Sequence, residues 1–185
     1  MKKILWILVA GLLAACSILP KPAPSPALHD FGPPASVPAA AVPVEASVSA
    51  PAWLDDTAIY YRLMYSDPTQ LRAYADNRWL APPAELLQTR LHAEFANGNA
   101  HYRLHVQLLD FEQVFDSAQS AHISLRAQAS LLDLSKGTTV GERMFTVTQS
   151  TSPDVQGAVS GDAQAADELI TQLTQWTRIQ LAGRP

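Results

Sequence analysis

The sequence predicts an α+β domain, a mainly antiparallel sheet with two helices packed on one of its faces, and three observations predict it. The run "AHISLRAQASLLDL" alternates Ile123, Leu125, Ala127, Ala129 and Leu131 with His122, Ser124, Arg126, Gln128 and Ser130, the period of a strand with one buried and one wet face. After Pro82-Pro83, Leu87, Leu91 and Phe95 recur at every fourth position, which lays one stripe of a helix on a sheet. The elements then come in the order strands, helix, three strands, helix.

The first residues stand apart from this domain. Lys2 and Lys3 precede an apolar run from Ile4 to Leu13, and Ala14-Ala15 lead into Cys16, the single cysteine. That is the layout of a secretory signal peptide over residues 1–15. The run is too short for a membrane span, which needs about 20 apolar residues. Leu13-Ala14-Ala15-Cys16 resembles the bacterial lipobox, and the resemblance implies that residues 1–15 are removed and Cys16 is acylated. With no second cysteine to pair with, Cys16 is read as an anchor. Two or three acyl chains, at about 0.8 kcal/mol per buried methylene, would hold the protein on its membrane. Ser17 is not Asp, which by resemblance to the sorting rule of enteric bacteria directs the protein to the periplasmic face of the outer membrane.

Removing residues 1–15 takes two lysines from the 13 Lys and Arg and none of the 17 Asp and Glu, so the net charge moves from −4 to −6. An acidic chain without a basic patch is not expected to bind nucleic acid. Nine of the 14 prolines lie between Pro20 and Pro51. Residues 16–26 are accordingly read as the lipidated terminus and its tether, and 27–185 as a single periplasmic domain whose stretch 33–51 is partly irregular. Within the proline-rich stretch, "ALHDFG" and "VPVEASVSA" could pair as edge strands.

From Ala58 onward each element has its own signal. "AIYYRLMYS" turns Ile59, Tyr61, Leu63 and Tyr65 to one side, Asp67-Pro68 supply a turn, and "LRAYADNRW" completes a hairpin. Ile59, Tyr61, Leu63 and Trp79 are expected in the core. The helix opened by Pro82-Pro83 is expected to stop at Asn97-Gly98. "HYRLHVQLLDF" points Tyr102, Leu104, Val106 and Leu108 one way, and "TVGERMFTVTQS" follows the 121–134 strand through a turn at Lys136-Gly137. A last helix from about residue 158 to 181 carries Ala166, Leu169, Ile170, Leu173 and Trp176, with Ser160 or Asp162 as its cap.

Catalytic chemistry is hard to find. His101 and His105 would share a metal on a helix, but on a strand they stand roughly 13 Å apart. "VSGDA" lacks the first glycine of a nucleophile elbow, and no glycine-rich phosphate loop is present. The chain is therefore expected to be no enzyme and to need no cofactor or metal. The richest segment is residues 60–91, where tyrosines, arginines and a tryptophan crowd a hairpin with the composition of binding hot spots. Arg62, Arg72 and Arg78 are the candidate partner-binding side chains.

That segment carries a family resemblance. Tyr61-Arg62-Leu63, Asp67-Pro68, Tyr74, Asn77-Arg78-Trp79, Pro82-Pro83 and Leu86-Leu87, with "ALHDFGP" and "PAWLDDTAIYYRL", resemble the central motif of the ABC-type transport auxiliary lipoproteins. The resemblance implies a non-catalytic accessory subunit of a system that moves lipids between membranes, with a mammalian-cell-entry domain protein as partner and a homo-oligomeric ring as one arrangement. The alternatives are a structural or assembly lipoprotein of an outer-membrane complex, or a direct lipid-binding carrier, which would need a large apolar cavity.

Overall fold

The alternation between Tyr102 and Thr151 builds the centre of the sheet in the computed structural model, which describes residues 24–34, 41–95 and 101–182. In chain order the elements are β1 (Ala27–His29), β2 (Glu45–Ser49), a 3-10 turn (Ala52–Leu54), β3 (Ala58–Leu63), β4 (Asp67–Trp79), α1 (Pro83–Glu94), β5 (Tyr102–Ser117), β6 (Ser120–Asp133), β7 (Thr138–Thr151) and α2 (Val155–Leu181). Among the described residues these form one seven-stranded sheet and two α-helices, an α+β architecture.

The strand order is β1-β4-β3-β5-β6-β7, and β2 shares with β3 one side of the long strand β5. Antiparallel ladders join β3 to β4, β5 to β6 and β6 to β7 and carry most of the pairing. The shorter pairings of β1 with β4, β2 with β5 and β3 with β5 are parallel. Of the two proline-flanked runs, "ALHDFG" supplies the outermost strand β1. Between β6 and β7 the turn closes at Gly137, whose φ of 63° is the left-handed region that favours glycine. Asp133 shapes the same turn by accepting the amides of Ser135 and Lys136 at 2.9 and 3.1 Å.

One face of the sheet is the core. Ile123, Leu125, Ala127, Ala129 and Leu131 of β6 are all 0 % exposed and pack with Leu87 and Leu91 of α1 and Leu169 and Leu173 of α2. The two alanines leave room for the helix to approach, and glycines continue that fit on its side. A Cβ at Gly161 would lie 2.7 Å from Ile123 Cγ1. Ile59 and Trp79 are buried as expected, whereas Tyr61 and Leu63 are only half-buried and Tyr65 is exposed beside the hairpin turn. That turn falls at Met64–Ser66, one step before the expected Asp67-Pro68, which already belong to β4.

Two helix ends differ from expectation. α1 stops at Glu94, with Phe95 leaving the helix into an extended conformation that buries its ring. Asn97-Gly98 lie outside the described residues. α2 begins three residues early, at Val155, because Asp154 caps it by accepting the Gly157 amide at 2.7 Å. Ser160 and Asp162 are therefore inside the helix. Ser160 donates to Gln156 O at 2.7 Å, and Asp162 is 1 % exposed on the buried stripe.

Candidate interaction surface

The face of the sheet opposite the helices is left to solvent, and the same alternation that buries one side makes it polar. Its side chains are tied in pairs across strands. Arg62 Nε donates to Glu112 Oε1 at 3.1 Å, Arg126 is ion-paired with Asp110, His122 Nδ1 meets Asp116 at 2.9 Å, and Arg103 meets Glu45 at 3.0 Å. His105 lies between the hydroxyls of Ser47 and Ser49, 3.1 Å from each. Glu112 is 8 % exposed, and its second oxygen, Oε2, is buried without a hydrogen bond.

The hairpin arginines do not form one patch. Register pairs Arg62 with Leu71 and Tyr61 with Arg72, so Arg62 and Arg72 project from opposite faces. Arg62 is committed to Glu112 and to Pro68 O. Arg78, opposite Ala58, donates to the backbone oxygens of Tyr74 and Asn77. Arg72 donates to Gln70 and, after the hydrogen bonds from Thr69, is close enough to Asp67 to help hold its carboxyl down, and among the described residues neither Arg72 nor Arg78 forms a direct ion pair. Arg72 is thus the hairpin guanidinium with most donors to spare. Cys16 lies outside the described residues.

Sequence reasoning missed the buried polar groups. Tyr74 OH donates to Gln113 Oε1 at 2.6 Å, and Gln113 Nε2 donates to Thr151 Oγ1 at 2.9 Å and Ser152 O at 2.8 Å, tying β4, β5 and the end of β7 together. Burial, then the neighbouring Tyr61, push the Tyr74 hydroxyl well above its ordinary value. Tyr60, by burial and its hydrogen bond to Asp56, is pushed up to about 12. Burial also raises the Asp162 carboxyl well above the usual carboxylate range, and its Oδ1 has no hydrogen bond. Arg90 of α1, its side chain 9 % exposed, is paired with Asp167 of α2 and donates to Phe31 O and Gly32 O, so one guanidinium joins both helices to the segment after β1.

These groups sit in structure and not around an enclosed substrate site. Leu104, Val106 and Leu108 of β5 are at most 1 % exposed, and the space between sheet and helices is filled by side chains. The cavity beside Arg90 and Asp167 is only about 50 Å³. A groove of about 610 Å³ along β7 and α2 is open and lined largely by Thr, Gln and acidic residues. Among the described residues no group of three or more His, Cys, Asp and Glu is placed to hold a metal ion, and no helix is long and apolar enough to cross a membrane.

Comparison with known proteins agrees with this architecture. A crystal structure from Xanthomonas campestris, of the family DUF330, superposes with a TM-score of 0.67 at 22 % identity, covering 85 % of this chain and 93 % of the other. A second, of an uncharacterized protein, reaches a TM-score of 0.61 at 15 % identity, covering 83 % and 99 %. At such identities the likeness is one of fold. No curated protein matches the sequence. The profile of one family does match, from residue 25 to 174, spanning the hairpin, α1, β5 to β7 and most of α2. The chain belongs to the family of ABC-type transport auxiliary lipoprotein components.

Proposed function

We propose that the protein is a non-catalytic accessory subunit of an ABC-type system that moves lipids between the two membranes. It is held on the periplasmic face of the outer membrane through acylated Cys16 and docks a partner with a mammalian-cell-entry domain. The observation that carries the reading is the family match over residues 25–174, joined to a lipobox-like tetrad just upstream. The filled core favours a docking role over a direct lipid carrier, since the inward side chains of β5 and β6 leave no room for an acyl chain. A ring of copies would use the two open edges of the sheet, β7 on one side and residues 67–76 of β4 on the other. The partner contact is assigned to the hairpin arginines, with Arg72 foremost.

The test is capture of the partner from detergent-solubilised envelope. Replacing Arg62, Arg72 and Arg78 together by alanine should weaken capture by about 2 kcal/mol or more, the scale of an interface hot spot. Arg72→Ala alone is the cleaner variant, because Arg62 also holds the buried Glu112. Circular dichroism supplies the folding control. Undiminished capture by a folded triple variant would remove the hairpin from the interface, and a wild type that captures no such partner would favour a structural lipoprotein.

A further inference from the structure

Eight large hydrophobic side chains are exposed among the described residues; register puts Leu28 and Leu80 where β1 meets the end of β4, and Trp53 lies in the turn that leads into β3. Leu28 is 63 % exposed, Leu80 60 % and Trp53 41 %. Register places Leu28 beside Arg78 and Arg78 beside Ala58, and the alternation that buries Trp79 turns Arg78 and Leu80 to the outer face. The Leu80 amide donates to His29 O at 2.7 Å, holding it against β1. Tyr60, two residues along β3 from Ala58, carries Trp53 edge-on, with ring centroids 6.0 Å apart. Two exposed leucines and an exposed tryptophan, the last set against the partly buried Tyr60, thus lie on this outer corner, and Trp is a side chain that settles at a membrane–water boundary.

The chain that leads to Cys16 enters the domain beside this corner, one residue before Leu28. Ala27, the first residue of β1, is eleven residues after Cys16, so an acylated terminus lies at most about 40 Å from the patch even with the intervening chain fully extended. A domain of this length is itself about 40 Å across. That reach lets the β1 corner, where the chain from Cys16 joins the domain, touch the bilayer. We propose that the corner formed by Leu28, Leu80 and Trp53 rests on the lipid bilayer that holds the acyl anchor; this rests on the reading of Cys16 as acylated. The charges around the patch, Asp55, Asp56 and Arg78, give it no net attraction for anionic lipid, so the contact is apolar and insensitive to salt. It leaves Arg72, the hairpin turn at Met64–Ser66 and the β7 edge for protein partners, with Arg78 alone of the three hairpin arginines beside the membrane corner.

Trp53 is its own reporter. Beyond Trp6 in the segment read as the signal peptide, the tryptophans are Trp53, Trp79 and Trp176, at 41 %, 1 % and 6 % exposure. The full acylated protein is reconstituted on phosphatidylcholine vesicles, plain or brominated along the acyl chains. Bromolipid should quench the emission, and high salt should leave the quenching unchanged. Trp53→Phe should abolish it. Leu28→Glu with Leu80→Glu should abolish it too, while the protein still floats with the vesicles. A floating protein whose Trp53 is unquenched would overturn the proposal and leave the patch to a protein, and quenching that persists in the double variant would overturn the residue assignment. An unmodified Cys16 thiol by mass spectrometry, with no flotation, would overturn the anchor and this contact together.

Discussion

Replacing Gly157 by alanine sets helix propensity against packing, and the two predict opposite signs. Alanine is better than glycine in a helix by about 1 kcal/mol, so local propensity predicts a more stable protein. In the folded chain, however, a Cβ at Gly157 would lie 2.0 Å from Ser152 O and 2.6 Å from Ser152 Oγ. Reaching 3.4 Å, where ordinary contact begins, takes a 1.4 Å retreat of the helix start, and the obstacle is a backbone oxygen that no rotamer can move. The same retreat pulls the Gly157 amide from Asp154 Oδ1, now 2.7 Å away, a cap worth about 1 kcal/mol. Overpacking adds about 1 to 3 kcal/mol, so the net expectation is a loss of about 2 kcal/mol, or roughly 4 to 8 °C in Tm. Urea denaturation of the protein in mild detergent measures it. At Gly161 the obstacles are Thr151 Cγ2 at 2.3 Å and Ile123 Cγ1 at 2.7 Å, side-chain atoms that can yield, so Gly161→Ala should cost less and Thr151→Ser, which removes Cγ2 and keeps the hydroxyl that accepts from Gln113, should recover part of the loss. A Gly157→Ala protein more stable than the wild type would refute the close approach of α2 to the end of β7.

Two further outcomes concern the buried charges. Burial raises the Asp162 carboxyl above its ordinary 3.8, so the folded state keeps a proton that the unfolded chain releases. Stability should therefore fall as pH rises from about 4 through the raised folded value and level off beyond it. Asp162→Asn should flatten that slope and gain stability at pH 8 but not at pH 4; parallel pH profiles for the two proteins would count against the buried acid. Arg90→Met should cost about 1.5 to 3 kcal/mol by leaving Phe31 O, Gly32 O and the partly exposed Asp167 without their donor. Arg90→Lys should recover less than half of that loss, since one ammonium cannot reproduce a planar fork facing three acceptors, and full recovery would contradict the geometry.

The strands of the meander and the stripe of α1 are legible because each buries one face, and a period of two or of nearly four residues is written into the order of apolar side chains. The class of the fold follows from that order, whereas the family resemblance rests on the identities of particular residues from Tyr61 to Leu87. The start of α2 is expected three residues late because Ser160 and Asp162 also have the chemistry of a cap, and only the folded chain shows Asp154 accepting the Gly157 amide. With the start placed at Val155, Asp162 falls on the stripe of Ala158, Ala165 and Leu169, so its burial was present in the periodicity. Gln113 was hidden differently. Leu104, Val106 and Leu108 face inward at even positions, but an irregularity between Leu108 and Asp110 shifts the phase, and Phe111, Gln113 and Phe115 then face inward at odd ones. A bulge leaves no mark on composition or period until the partner strand is in place. Likewise, only the register shows that Arg62 and Arg72 lie on opposite faces, that Arg90 joins both helices to the segment after β1, and that Leu28, Leu80 and Trp53 share a corner. Periodicity is a local property of the chain and survives in the sequence; which residues meet across 50 or more positions depends on pairing and packing, which exist only in the folded protein.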